Sequence, residues 1–373
     1  TFTDATDNDN SVSNTYTWTY DTADPTMTIT SGTVASGGST TTAAVVLIYT
    51  SNEATANFAA ADITDTGCTD DSFTTSSSTV YGSTCTVAAD GAASIVVAAD
   101  TFTDTAGNDN TVSNTYSWTQ DDTGPTMTIT SATVDSGSST NTGAVVLVYT
   151  SNEVTTDFVL ADITVTECTN AAFTGSSTVY GSTCTEDSNG VTPTVLVAAD
   201  AFSDALSNAN SASNTYTWTY DTTAPTIGIT IVAADNYVNE DEYEDNGFNV
   251  VGSVSGANGQ TVTVDYGGAS STCTAASGAF TCTFSTSVLA AANSGSGVSD
   301  SSSPGVTVTA NVDDAAGNSA TGASVSITQD TADPTMTITS GTVSSGASTT
   351  TAAIALTFTS NEATSNFVVG DIT

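Results

Sequence analysis

Lysine, arginine and histidine are missing from all 373 residues, while Asp and Glu together number 40, for a formal net charge of −40. Without a cationic side chain no side-chain salt bridge can form, so stability must come from apolar burial, backbone ladders, disulfides and bound cations. Nothing in the chain can neutralise phosphate, which excludes nucleic acid and anionic membrane as partners. The same absence removes the Ser-His-Asp triad, the Schiff-base lysine and the arginine clamp from consideration. A carboxylate pair of the glycosidase kind survives that elimination. Its members, however, recur in every repeat of the chain, which suits a structural role better than a single active site, and the expectation is that the protein is not an enzyme. Long apolar runs are also missing: the densest, residues 43–49, is too short to span a membrane. No Asn-x-Ser/Thr acceptor for N-linked sugar occurs, and no segment carries a helical period.

What the chain does have is a repeat. Ser-Asn-Thr-Tyr-Thr-Trp-Thr-Tyr-Asp runs from Ser13 to Asp21, followed by Pro25 and the alternating Thr26, Met27, Thr28, Ile29, Thr30. The stretch returns at Ser113 and Ser213, and in altered form around Asp330 and Pro334. Pro25, Pro125 and Pro225 are 100 residues apart, and Pro334 follows after 109. Tyr16, Trp18 and Tyr20 alternate with threonines, so this segment is a strand with one buried face. Proline cannot donate to a sheet ladder and belongs at a strand start or in the connector before it. The motif therefore reads as the last strand of one domain, a short acidic linker, and the first strand of the next.

This divides the chain into residues 1–20, the C-terminal strands of a preceding repeat; complete domains at 21–120, 121–220 and 221–329; and 330–373, the N-terminal part of a further repeat. Within each complete domain about seven short strands alternate with turn signals, an all-β sandwich pattern. Ala43 to Thr50 reads as the central buried strand, and residues 235–246 of the third domain are an acidic insertion that breaks the repeat. Ser and Thr make up 128 residues, a fraction that would suggest disorder were it not for the strict alternation with apolar residues.

Six cysteines fall in same-domain pairs: Cys68 with Cys85, Cys168 with Cys184, and Cys273 with Cys282. The repeat makes adjacent pairing the expected connectivity, and disulfides indicate an oxidising compartment, outside the cell or on its surface.

The Asp-Thr-x-x-Pro joint, the Ser-Asn-Glu-Ala-Thr loop at 51–55, Ala-Asp-Ile-Thr at 61–64 and the Asp-x-Ala-Gly-Asn loop at 104–108 resemble bacterial Ig-like repeats of large repetitive adhesins and biofilm-associated surface proteins. The third domain, with Asp-Ala-Ala-Gly-Asn at 314–318, resembles a second Ig-like type found in the same proteins. A disulfide in every domain and the total lack of bases depart from that family. The resemblance implies tandem Ig-like β-sandwiches in a linear array, and joints stiffened by calcium. Calcium needs several oxygen ligands, and carboxylates cluster at the joints and nearby loops. The candidates are Asp21, Asp24, Asp104, Asp109, Asp121, Asp122, Asp221, Asp314 and Asp330, with Asp235 and Glu242 in the insertion. The alternative is that Asp, Asn and Gly are there as turn formers.

Outward threonines such as Thr26, Thr28 and Thr30 are candidate O-glycosylation sites, or threonine placed for its β propensity. The functional expectation is a structural segment of a long extracellular or cell-surface fibre, an adhesin-like spacer whose partners are further repeats or neighbouring copies of the chain. Two alternatives are a module recognising surface glycans or proteins, with the insertion as its site, and a laterally or helically packed filament subunit.

Overall fold

The computed structural model describes residues 1–296 and 303–373. In the first domain β1 (Met27–Ser31), β3 (Ala44–Ser51), β6 (Val80–Thr86) and β5 (Thr69–Thr75) form one sheet in that spatial order. The facing sheet runs β2 (Gly38–Thr40), β8 (Tyr116–Gln120), β7 (Gly91–Val97) and β4 (Ile63–Thr66). Every pair is antiparallel except β2 with β8, where Gly38 lies opposite Trp118 and Thr40 opposite Gln120. Period-two alternation sends Met27, Ile29, Val45, Leu47, Tyr49, Ile95, Val97, Tyr116 and Trp118 into the space between the sheets. Phe58 fills the centre, meeting Tyr81, Phe102 and Phe73 edge-on with ring centroids 4.9, 5.1 and 5.7 Å away.

The second domain repeats this core from Met127 to Trp218. The third builds a separate one from Val232 to Ile327 around Tyr266, Phe248 and Phe284. No residue is shared between the three.

The Ser-Asn-Thr-Tyr signature has a physical basis. Ser113 Oγ accepts the Val97 N–H at 2.9 Å. The Asn114 amide pairs with the backbone of β1, its Oδ1 accepting from Ile29 N at 2.7 Å and its Nδ2 donating to Ile29 O at 3.0 Å. Tyr116 donates its hydroxyl to Val34 O. Asn214 repeats the pairing on Ile129 at 2.8 and 3.0 Å. One side chain thus ties the two sheets together at a strand edge. Asn114→Ala, which orphans both backbone groups, is expected to cost the domain about 2 kcal/mol in chemical denaturation; a change within a few tenths would show that water replaces the amide.

Three expectations change. The run 43–50 is a central strand, but only alternate residues are buried: Val45, Leu47 and Tyr49 point inward while Val46 and Ile48 stay about half exposed. Apolar content exceeds what one face needs, so the sequence looks two-sided where the fold is not. The third domain contains an 11-residue α-helix, Thr286–Ser296, from a stretch rich in alanine, the strongest helix former.

The acidic insertion, finally, folds into the sheet. Tyr237–Asn239 pairs in parallel with Ala323–Asp330, occupying the edge that β2 fills in the first domain. A π-helical turn, Asp241–Asn246, follows and buries Tyr243.

Residues 1–20 and 330–373 make few such contacts. Trp18 is 77% exposed where its counterpart Trp118 is 2% exposed, and Ile338, Ile354 and Leu356 are likewise open to solvent. A two-stranded antiparallel sheet, Met336–Thr339 with Thr357–Ser360, orders the C-terminal segment.

Disulfides join Cys68 to Cys85, Cys168 to Cys184 and Cys273 to Cys282, one in each domain. The first two each close a hairpin on the outer part of a sheet, whereas Cys273 on Ala269–Thr274 and Cys282 on Ala279–Phe284 belong to different sheets, so the third bridge ties the two sheets of its domain together.

Candidate acidic site at the domain joints

The loop before the last strand is organised by its own aspartate. Asp104 is buried, and its Oδ1 accepts backbone N–H groups from Ala106, Gly107 and Asn108 at 2.8, 2.6 and 2.8 Å. Its Oδ2 accepts from Asn108 Nδ2 at 2.8 Å, and the same Nδ2 reaches Asp21 O at 3.3 Å. Burial works to raise the Asp104 carboxyl, but the Asn108 side chain and the three backbone donors outweigh it and hold the group below its ordinary value. The carboxylate stays charged. Asp204 and Asp314 build the same loop with Asn208 and Asn318, whose amides donate to Asp121 O at 3.1 Å and Asp221 O at 2.8 Å. Loss of Gly at 207 and of the second Asp at 209 removes one backbone donor from the Asp204 carboxylate but keeps the Asp–Asn pairing, because the loop depends on the Asp and the Asn four residues on.

That loop brings three carboxylates together. Asp21 from the linker, Glu53 from the loop after β3, and Asp104 each offer an oxygen within 4.8 Å of the other two. Asp121, Glu153 and Asp204 do so in the second domain. Burial first, then the charges of Asp121 and Asp204, raise the Glu153 carboxyl above its ordinary value. Three acidic groups held this close with no base in the chain form a negative pocket of oxygen ligands, the donor set a hard divalent cation takes.

Sequence reasoning missed Glu53, Glu153 and the role of Asp204. The signal was there: Ser-Asn-Glu recurs with its Glu at 53, 153 and 362, in each case 32 residues after Asp21, Asp121 and Asp330.

Other candidates lie elsewhere. Asp24 and Asp109 line an open hollow beside the first cluster, together with Asp100 and Asn108. Asp122 uses its backbone N–H to bond Asp90, 3.0 Å away. Asp221 and Asp314 meet through Asn318, but strand register sets Gly256 where the first two domains have Glu53 and Glu153, so among the described residues no third carboxylate joins them. Asp235 caps the turn at Tyr237 N, 2.9 Å away, and Glu242 exchanges hydrogen bonds with Asn239 at 3.0 and 3.2 Å. Those two shape the insertion. Asp330 Oδ1 accepts from Ala332 N at 3.4 Å. Thr26, Thr28 and Thr30 are all exposed on the outer face of β1 or just before it.

The sandwiches and their tandem order define an array of Ig-like domains. Residues 21–119 match the model of the bacterial Ig-like domain. Comparison with proteins of curated function gives no match. Among solved structures the chain is similar to the Escherichia coli adhesin FdeC, at 11% identity and a TM-score of 0.37, over 83% of this chain and 98% of that one. It is similar to a 1.5-MDa bacterial ice-binding adhesin at 18% identity and a TM-score of 0.27, over 83% and 100%. Domains A168–A170 of titin, at 7% identity and a TM-score of 0.31 over 82% and 99%, are a third likeness. The likeness is one of fold alone. Among the described residues no helix is long and apolar enough to cross a membrane.

Proposed function

We propose that the chain is a non-catalytic spacer segment of an extracellular or cell-surface fibre, three complete Ig-like domains in series whose acidic joints bind calcium. The observation that carries this reading is the recurrence of one carboxylate triad at the domain period: Asp21, Glu53 and Asp104, then Asp121, Glu153 and Asp204. A catalytic or recognition site has no need to recur with the repeat, whereas a joint clamp does. The disulfides fit an oxidising exterior. The insertion that broke the repeat completes a sheet edge, which speaks for architecture rather than for a recognition loop.

Calorimetric titration of calcium into chelator-treated chain is expected to give two sites, with Glu153→Gln and Glu53→Gln each removing one. The sign of the pH dependence follows from Glu153. With its folded value raised, the metal-free second domain is favoured below the ordinary glutamate value, and that contribution is lost as pH rises through the raised one. Calcium binds the deprotonated form, so its affinity rises over the same interval and the bound domain reverses the trend. Absence of calcium heat at pH 7, or heat that persists in the double Gln variant, overturns the assignment.

A further inference from the structure

Each linker between complete domains is held from both sides by hydrogen bonds to its backbone, and its second and third residues by a side chain outside the carboxylate triad. In the first linker, Asp121 N donates to Thr40 O of the preceding domain at 3.0 Å, while Asp121 O accepts from Asn208 of the following one. Asp221 is held in the same way, by Thr140 O at 3.0 Å and by Asn318. The next two residues are gripped by a turn of the preceding domain. Asp90 Oδ1 accepts the Asp122 N–H at 3.0 Å, and its Oδ2 accepts the Thr123 hydroxyl.

At the second joint the gripping residue is Asn189. Its Oδ1 accepts the Thr222 N–H at 2.6 Å, and its Nδ2 donates to Thr223 Oγ1 at 2.8 Å. Asp90 and Asn189 both immediately precede a glycine in the turn leading to the strand beside the last one. One is a carboxylate and the other an amide, yet each engages the same two linker positions.

A hinge needs a few residues free to change φ and ψ. Here the first linker residue is bonded to both neighbours, the second and third to the turn, and the fifth is a buried proline with φ fixed, Pro125 or Pro225. At the second joint the domains also touch directly, Asn141 N donating to Ala316 O at 3.0 Å.

We propose that Asp90 and Asn189 are latch residues, each setting the angle between its own domain and the next by holding the second and third linker residues, so that the joints are stiff before any cation binds. The proposal is separate from the calcium reading, and its test is made in chelator so that the two can fail independently.

The experiment uses the whole chain as Asp90→Ala, Asn189→Ala and Asp90→Asn, followed by residue-resolved amide exchange and small-angle scattering. Each Ala variant is expected to speed exchange at its own linker amide, Asp122 or Thr222, by about tenfold, the factor for one net hydrogen bond, and to broaden the distribution of end-to-end dimensions. Asp90→Asn keeps both bonds in the form seen at Asn189 and is expected to match the parent chain. Exchange at Ile95 and Val97 in the first core, and at Val195 and Val197 in the second, serves as the control for loss of the fold in the respective variants. Unchanged linker exchange and scattering in both Ala variants overturns the proposal, as does an Asp90→Asn chain that behaves like Asp90→Ala.

Discussion

Trp118→Ala is expected to destabilise the first domain by about 3–5 kcal/mol and to leave the other two where they were. Trp118 is only 2% exposed and sits within a core that contributes no residue to the second or third. A domain of this size has about 5–15 kcal/mol in total, so a large share of its stability is at stake. In calorimetry one transition should fall by about 15 °C or more while the others hold. Equal displacement of all transitions would mean that the domains unfold as one cooperative unit, against the separation of their cores.

The two tryptophans should also differ. Trp218 Nε1 donates to Glu186 Oε1 at 2.7 Å, whereas Trp118 Nε1 is buried with no partner because Val87 stands where the second domain has Glu186. Substitution by Phe therefore costs more at 218, where it strips a half-buried carboxylate of its donor.

Removing the disulfides is the second large effect. Cys68 and Cys85 are 17 residues apart, Cys168 and Cys184 are 16 apart, and Cys273 and Cys282 only 9. Loop-closure entropy gives about 3 kcal/mol for each of the longer loops and about half a kcal/mol less for the shortest. Reduction of the whole chain should then lower every transition, the third domain's least. A third domain that falls furthest would show that its bridge acts through packing around the buried Cys282 rather than through chain entropy.

The sandwich, the strand alternation and the pairing of cysteines were legible in the sequence because each is a periodic signal repeated three times. The triads were legible only in part. Asp21 and Asp104 stand out as acidic residues in turn-like stretches, but Glu53 follows a strand and its side chain enters the site only because β1 and β3 pair in the register that puts Thr26 beside Asn52. That register is a long-range property. Asn114 was likewise visible as part of a motif and opaque in purpose, since its partner Ile29 lies 85 residues away. The turn-forming and cation-binding readings of the Asp-x-x-x-Asn loop also turn out not to compete. One oxygen of Asp104 takes three backbone donors of the loop, and the same carboxylate faces Glu53 and Asp21. The insertion's place in the sheet was hidden behind its charge, since Val238 and Tyr243, the two residues it buries, decide where it goes.

The parallel pairing of β2 with β8 has a consequence for load. Tension on a chain of tandem domains enters through β1, which is paired antiparallel to β3, passes along the chain to β2 once β1 has come away, and leaves at β8. Strands that run parallel are then pulled past each other along their length, and their bonds, lying across the direction of pull, must yield together rather than one at a time. Once a domain does yield, its bridge keeps the bracketed loop from paying out, withholding about 60 Å of extension in the first domain and about 30 Å in the third at the reach of an extended chain. Such a chain resists stretching abruptly and lengthens in steps of unequal size.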